Sequence, residues 1–441
     1  MALRGNPRGG ALRRFVWITA ALAAACGEAA KPQPGPLDRL YLPTGLAVQD
    51  HRLVAVSSNG DLRYDDATGG SVIALDPSEL DTVRVDGAVN IHSFGGDLAI
   101  ADPAVCTSLA DPLAIVATRG SNTLNAVAIS SSGALSCESA TARCGIPLSG
   151  SFVDPLAVAV ACGHGRQRAF VGYLRSPSGE AWITEYDLVS GALRNALVGA
   201  GPIRGFAYDR AHDRLYMTGL ATSAPTPLRW IDLAGCEIDA TPGAGGCTVG
   251  QATIPTFASG LELRSIALAN PFSGAPQRAF LTGRLYDAAA AVTAGGRTVD
   301  YGGALLVVDL VENAFGGVDV QLVNSLPIGK GAQDVRVLPS RGATRRDVVA
   351  ALAIDDGEVW IYDDETLSLR PFLRSGVTGA PELGHQPYGL AVDPVPIGTI
   401  ARLYVGAFTE SFVTPIDVPL EAPDQAAFTG VAQRKITGGT P

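Results

Sequence analysis

Long apolar runs, basic excess and familiar catalytic signatures are all scarce in this chain of 441 residues. Beyond residue 25 no stretch reaches about 18 uninterrupted apolar residues, so the body offers no candidate membrane-spanning helix and reads as water-soluble. There is no H-E-x-x-H, no G-x-S-x-G and no P-loop, so the commonest metalloprotease, α/β-hydrolase and nucleotide-binding signatures are missing. No C-x-x-C occurs, and His51, His92, His164, His212 and His385 are scattered one to a loop, which gives no metal-ligand spacing. The residues imply no cofactor, no metal and no catalytic set. No helix-period segment of ten or more residues appears in the body, which excludes a helical or α/β architecture.

The first 25 residues differ from the rest. Arg4, Arg8, Arg13 and Arg14 precede an apolar run from Phe15 to Ala25, too short to span a bilayer and shaped like a signal peptide. Small residues before Cys26 resemble a bacterial lipobox, although Ala23 stands where that family usually has leucine. The resemblance implies lipidation of Cys26 and a membrane partner through the lipid. Residues 26–36 then form a Pro-rich spacer, and a folded body is expected over 37–441. With the leader removed, 33 Lys and Arg less four leave 29 against 43 Asp and Glu, a net charge of -14. Such a surface disfavours nucleic acid.

What the chain does have is a repeat. The phrase Gly45-Leu46-Ala47-Val48 returns as Asp97-Leu98-Ala99-Ile100, Pro155-Leu156-Ala157-Val158, Gly205-Phe206-Ala207-Tyr208, Ser265-Ile266-Ala267-Leu268, Asp334-Val335-Arg336-Val337 and Gly389-Leu390-Ala391-Val392. The spacings are 52, 58, 50, 60, 69 and 55 residues. A short apolar phrase at such a period marks a repeat architecture. In the last repeat, strands are expected over 388–393, 402–409, 412–418 and 432–437. Second strands follow each phrase at 53–59, 114–120, 169–175, 215–220, 279–285, 348–354 and 403–409. Four antiparallel strands per unit with no covering helix must pack sheet on sheet, and seven such sheets close into an all-β, seven-bladed propeller. Gly and Pro, 81 residues together and spread along the chain, supply the turns that so many short strands require.

Third strands are expected to end at Asp76, Asp187, Asp232, Asp309, Asp363 and Asp417, with Ser130 in the seventh place. One carboxylate per blade at one turn reads as a turn-former that accepts from backbone amides, because equivalent turns of a ring cannot converge on an ion. Asn59, Asp61, Asp65 and Asp66 likewise read as a solvated acidic turn, with calcium as the other reading. Asp393-Pro394, Leu403-Tyr404-Val405 and Ile416-Asp417 resemble the YVTN-type seven-bladed propellers, whose blades read G-h-A-V-D-P, L-Y-V and V-x-V-I-D. The resemblance spans about residues 37–440 and implies a propeller with a binding surface.

Six cysteines remain after Cys26, an even number that argues disulfides in an exported chain. The repeat frame pairs Cys137 with Cys144 and Cys236 with Cys247, each between a third and a fourth strand. Cys106 and Cys162 then join the first-to-second-strand loops of blades two and three.

The residues just before each phrase should ring the channel mouth: Thr44, Gly96, Asp154, Arg204, Arg264, Gln333 and Tyr388, with His385 slightly earlier in blade seven. Arg204 and Arg264, on adjacent blades, could hold one anionic group bidentately. Asp154, Glu262 or Asp334 could instead neutralise them. The function expected is a lipid-anchored envelope propeller that binds an anionic small molecule or an envelope protein. One alternative is a lactonase or lyase at the mouth, drawing on Asp154, Glu262, Asp334 and His385. Another is a subunit of an envelope complex that makes contact through the insertion at 286–303.

Overall fold

The computed structural model describes residues 33–77, 84–139, 141–220, 227–238, 246–254, 261–286, 300–374, 383, 386–428 and 436. Seven sheets follow one another along the chain, and every one is built from consecutive antiparallel strands in the order first, second, third, fourth. The first strands are Pro43–Gln49, Gly95–Ala101, Val153–Gly163, Ile203–Asp209, Leu261–Leu268, Ala332–Val337 and Pro387–Val392. Each contacts the first strand of the next sheet, and the seventh contacts the first, so the ring of inner strands is complete. Among the described residues the only helix is one 3-10 turn, Pro423–Gln425.

The core is a set of inter-blade cores. Seven apolar clusters fill the seven interfaces. The second strand of blade one shows how alternation builds them. Leu53 and Ala55 point to blade seven while Val54 and Val56 point to blade two, and all four are fully buried. A strand buried on both faces reads as a continuous apolar run, as the second-strand sequences do.

Among the described residues the ring closes with no strand exchanged between its first and last blades. Blade one is made from 43–91 and blade seven from 387 onward. Their interface packs Leu46, Leu53 and Ile73 on Ala391, Tyr404 and Val413. The His51 Nδ1–Asp393 Oδ2 contact at 2.7 Å and the Leu42 amide donating to Ser411 Oγ at 3.1 Å cross the same seam. The body also begins slightly before residue 37. The Gly35 amide donates to the Thr68 carbonyl at 2.9 Å, and Ser71 Oγ donates to the Pro36 carbonyl at 3.2 Å. Residues 1–32, including the leader and Cys26, lie outside the described residues.

Several expectations need correction in detail. The fourth strand of blade seven is Ala427–Phe428, followed by a single bridge from Ile436 to Val413; 432–435 and 437 lie outside the described residues. In blade two the fourth position is split between Leu135–Ser136 and Arg143–Pro147, which both pair with Thr123–Ile129. Asp309 and Asp417 lie inside their strands, Asp300–Glu312 and Phe412–Pro419, rather than at the ends.

The aspartates also do two different jobs. Asp187 accepts from the Val189 and Ser190 amides at 3.0 and 2.7 Å, and Asp363 from the Glu365 amide at 3.0 Å, the expected turn role. Asp232, Asp309 and Asp417 instead take Arg214, Arg278 and Arg402, which stand directly opposite on the second strand. Asn59 organises the acidic turn of blade one: its side chain accepts from the Tyr64 amide and donates to the Tyr64 carbonyl and to Ser93.

All three cysteine pairs are disulfides, with Cα–Cα separations of 5.1 Å for Cys106–Cys162, 5.3 Å for Cys137–Cys144 and 5.1 Å for Cys236–Cys247. Cys162 sits at the end of an inner strand rather than in the loop after it, and its bridge ties blade two to blade three. Of the insertion at 286–303, residues 287–299 lie outside the described residues. What flanks them is two long strands, Gln277–Tyr286 and Asp300–Glu312.

Candidate functional site at the channel mouth

Every inner strand carries a β-bulge near its start. The ladder to the second strand slips between Pro43 and Leu46, Gly95 and Leu98, Pro155 and Ala157, Ile203 and Gly205, Leu263 and Ser265, Ala332 and Asp334, and Pro387 and Gly389. A bulge leaves one residue unpaired and re-aims its side chain. In blades four to seven that residue is Arg204, Arg264, Gln333 and Tyr388. These four, with Thr44 of blade one, line one small cavity of about 50 Å³ at the channel mouth.

Blade three departs from the expectation. Its bulge residue is Leu156, so the equivalent phrase is Ala157-Val158-Ala159-Val160, two residues later than the sequence suggested. Leu156 lines the mouth and Asp154 does not. Asp154 lies at φ 70° and binds Arg119 Nε at 2.5 Å and Arg175 Nε at 3.3 Å. His385 lies outside the described residues.

The glycines of the repeated phrase follow from how closely the blades approach here. A Cβ on Gly205 would stand 2.9 Å from the Arg264 carbonyl oxygen, and one on Gly389 2.7 Å from that of Thr44. Backbone at the bulge of one blade therefore rests on the glycine of the blade before it.

The electrostatics centre on Glu262. This buried carboxylate takes Arg204 Nε on Oε1 at 2.8 Å and an Arg264 terminal amine on Oε2 at 2.8 Å. The two arginines thus share an internal counter-charge, and the trio carries one net positive charge. Burial lowers the Arg204 pKa, Glu262 opposes that shift and Arg264 adds to it. Among the described residues the terminal amines of Arg204, the Tyr388 hydroxyl and the Gln333 amide nitrogen donate to nothing. Gln333 Oε1 is occupied by Arg284 at 3.1 Å, and Thr44 Oγ1 donates to the Gly95 carbonyl at 2.9 Å. The rim is therefore rich in uncommitted donors.

A second group sits at the channel waist, and only one of its members had been suspected. Asp334 accepts from Ser265 Oγ and the amides of Val335 and Leu390, and meets Arg336 at 3.1 Å. Asp97 stands 3.9 Å from Arg336. Burial pushes the Asp97 pKa up to about 6, against the pull of Arg336 and with the help of Asp334. Burial works against the charge on Arg336 too, but Asp334 and then Asp97 outweigh it and raise its pKa. A sequence signal for this group existed: Asp97 and Asp334 hold the first place of the phrase, where three other blades have glycine.

Among the described residues no group of three or more His, Cys, Asp and Glu side chains is arranged to hold a metal ion. Fold and site together define a seven-bladed β-propeller whose inner-strand bulges gather a donor-rich, net positive rim over an acidic waist. No family model matches the chain, and no curated protein matches its sequence. Solved structures similar to it include a candidate 6-phosphogluconolactonase from Bacteroides uniformis, at 12% identity and a TM-score of 0.47, covering 75% of this chain and 84% of that one. A functionally unknown protein from Desulfotomaculum acetoxidans matches at 11% identity and a TM-score of 0.47, over 75% of this chain and 84% of its own. The Cps50 (Swd1) β-propeller domain from Myceliophteria thermophila matches at 9% identity and a TM-score of 0.49, over 84% of this chain and 94% of its own. At these identities the likeness concerns fold alone.

Proposed function

We propose that this protein is a lipid-anchored cell-envelope propeller of the YVTN type, and that its channel mouth holds the acidic group of a small molecule or of a partner envelope protein. The observation that carries the reading is the rim itself. Four blades line one spot with donor side chains, and at its rim Arg204 and Arg264 share the single carboxylate of Glu262, while Asp97, Asp334 and Arg336 line the deeper side of the same cavity. The cavity of about 50 Å³ suits one carboxylate, phosphate or sulfate with the rest of the ligand outside. Each charge-assisted contact contributes about 1.5–3 kcal/mol when water is excluded.

The enzyme alternative draws less support from the geometry. A lactonase or lyase at this mouth needs carboxylates ready to take a proton. Asp154, Glu262 and Asp334 each spend oxygens on arginines. That leaves Asp97, its pKa pushed up to about 6 by burial, as the one acid among the described residues of the mouth placed to take a proton, without the partner carboxylate or histidine this alternative calls for. A binding role uses the mouth as it stands.

Thermal melting at fixed ionic strength, with chloride replaced in turn by acetate, sulfate and phosphate, tests the reading. Protection by one of these anions in the wild type, lost in Arg204→Ala/Arg264→Ala with the fold retained, is the expected result. Equal protection of both proteins, or none of either, would reject it.

A further inference from the structure

The far end of the channel differs from the mouth. It opens into a cavity of about 700 Å³, walled by Val48, Ile100, Val158, Val337 and Val392 among others. Asp97 and Arg336 line both this cavity and the mouth, so they form the floor between them.

The two floor residues are engaged unequally. Arg336 is committed to Asp334 at 3.1 Å and donates through Nε to the Leu390 carbonyl at 3.1 Å. Asp97 has one hydrogen bond among the described residues, from the Leu98 amide at 2.9 Å, and stands 3.9 Å from the guanidinium. The inner strands on either side of it, in blades one and three, present Ala47, Val48, Val158 and Ala159 to the cavity, none of them charged. Asp97 and Arg336 are the charged residues that line this cavity. Arg336 is held by Asp334, which faces the mouth with Arg204 and Arg264, and Asp97 is the carboxylate of the group with the fewest partners.

We propose that this cavity binds a small amphiphilic amine, with its ammonium against Asp97 and its apolar body against the valine wall. The volume is that of an ordinary small-molecule site. A carboxylate head would meet Asp97 and an arginine already engaged. An alcohol would gain burial without an ion pair. The apolar wall lies on the opposite side of the waist from the donor rim, and the two sites share Asp97 and Arg336 as their common floor.

Isothermal titration of the folded chain with hexylamine, hexanoate and hexanol separates these cases. Hexylamine is expected to bind one per chain at pH 7.5, with the other two at least about tenfold weaker. Its affinity should fall about tenfold between pH 7 and pH 5, because a carboxyl titrating near 6 is about nine-tenths protonated at pH 5 and then offers no charge. Asp97→Asn, which keeps size and shape, should lose most of the preference for the amine and all of the pH dependence. Ser340→Trp, at an exposed position on the rim of the cavity, should weaken hexylamine with Asp97 intact. Equal binding of all three probes, a preference for hexanoate, unaltered hexylamine binding by Asp97→Asn, or no binding at all would overturn the proposal.

Discussion

Glu262→Gln tests the electrostatics of the mouth most sharply. The carboxylate is 3% exposed and receives two arginines at 2.8 Å. Glutamine preserves shape but removes the charge, and its amide nitrogen would face one guanidinium donor to donor. Removing one partner of a buried charge group costs about 3–5 kcal/mol, mostly the expense of leaving the other charge unpaired. Unfolding entropy of about 2.1 cal/mol/K per residue, over roughly 400 residues, turns that into a fall of about 4–6 °C in Tm. The variant also raises the net charge of the trio from one to two. It should therefore become more responsive to anions than the wild type: phosphate at 100 times its Kd would return about 2.7 kcal/mol, or about 3 °C. Melting followed by circular dichroism, with and without phosphate, reads both effects. A variant that melts with the wild type and ignores phosphate would show that Glu262 does not hold the arginines.

Arg229 is 2% exposed, its terminal amines meet no acceptor among the described residues, and burial lowers its pKa. Arg229→Met should therefore raise stability by about 1–3 kcal/mol, and a lower Tm would mean that the guanidinium has a counter-anion. The Cys106–Cys162 bridge closes a separation of 56 residues across two blades, so Cys106→Ser/Cys162→Ser should cost about 4 kcal/mol in denaturant melts. An unchanged midpoint would contradict the inter-blade bridge. A fatty-acid probe supplied to growing cells should label the wild type and spare Cys26→Ser, whereas equal labelling of both would reject the anchor.

Much of this architecture was legible because propeller physics writes itself into period-2 apolar phrases and turn residues. All seven phrases lie on inner strands, and all three disulfides pair as the blade frame required. The misplacement of Asp154 has a specific cause. Residues 155–160 read Pro-Leu-Ala-Val-Ala-Val, and a strand whose pattern repeats every two residues looks the same after a two-residue slip. Only the bulge fixes the frame, and bulges leave no residue-type signature here: their seven residues include Gly96, Leu156 and Arg204. The two-residue fourth strand Ala427–Phe428 was invisible because it follows Pro423 and has no alternation to show. The Arg214–Asp232, Arg278–Asp309 and Arg402–Asp417 pairs are cross-strand contacts, so each aspartate alone read as a turn. Arg204 and Arg264 meet at Glu262, one of the three carboxylates the sequence offered as their counter-charge; it stands two residues before Arg264 and reaches them because its strand begins ahead of the bulge.

The central claim is that the mouth takes an acidic group. Its most direct test is a crystal structure of the wild type grown with selenate in phosphate-free buffer, with the anomalous signal of selenium locating the anion. The account predicts a peak at the mouth within hydrogen-bond reach of the Arg204 terminal amines and the Tyr388 hydroxyl. Water alone at that position, with selenate bound elsewhere on the surface, would contradict it.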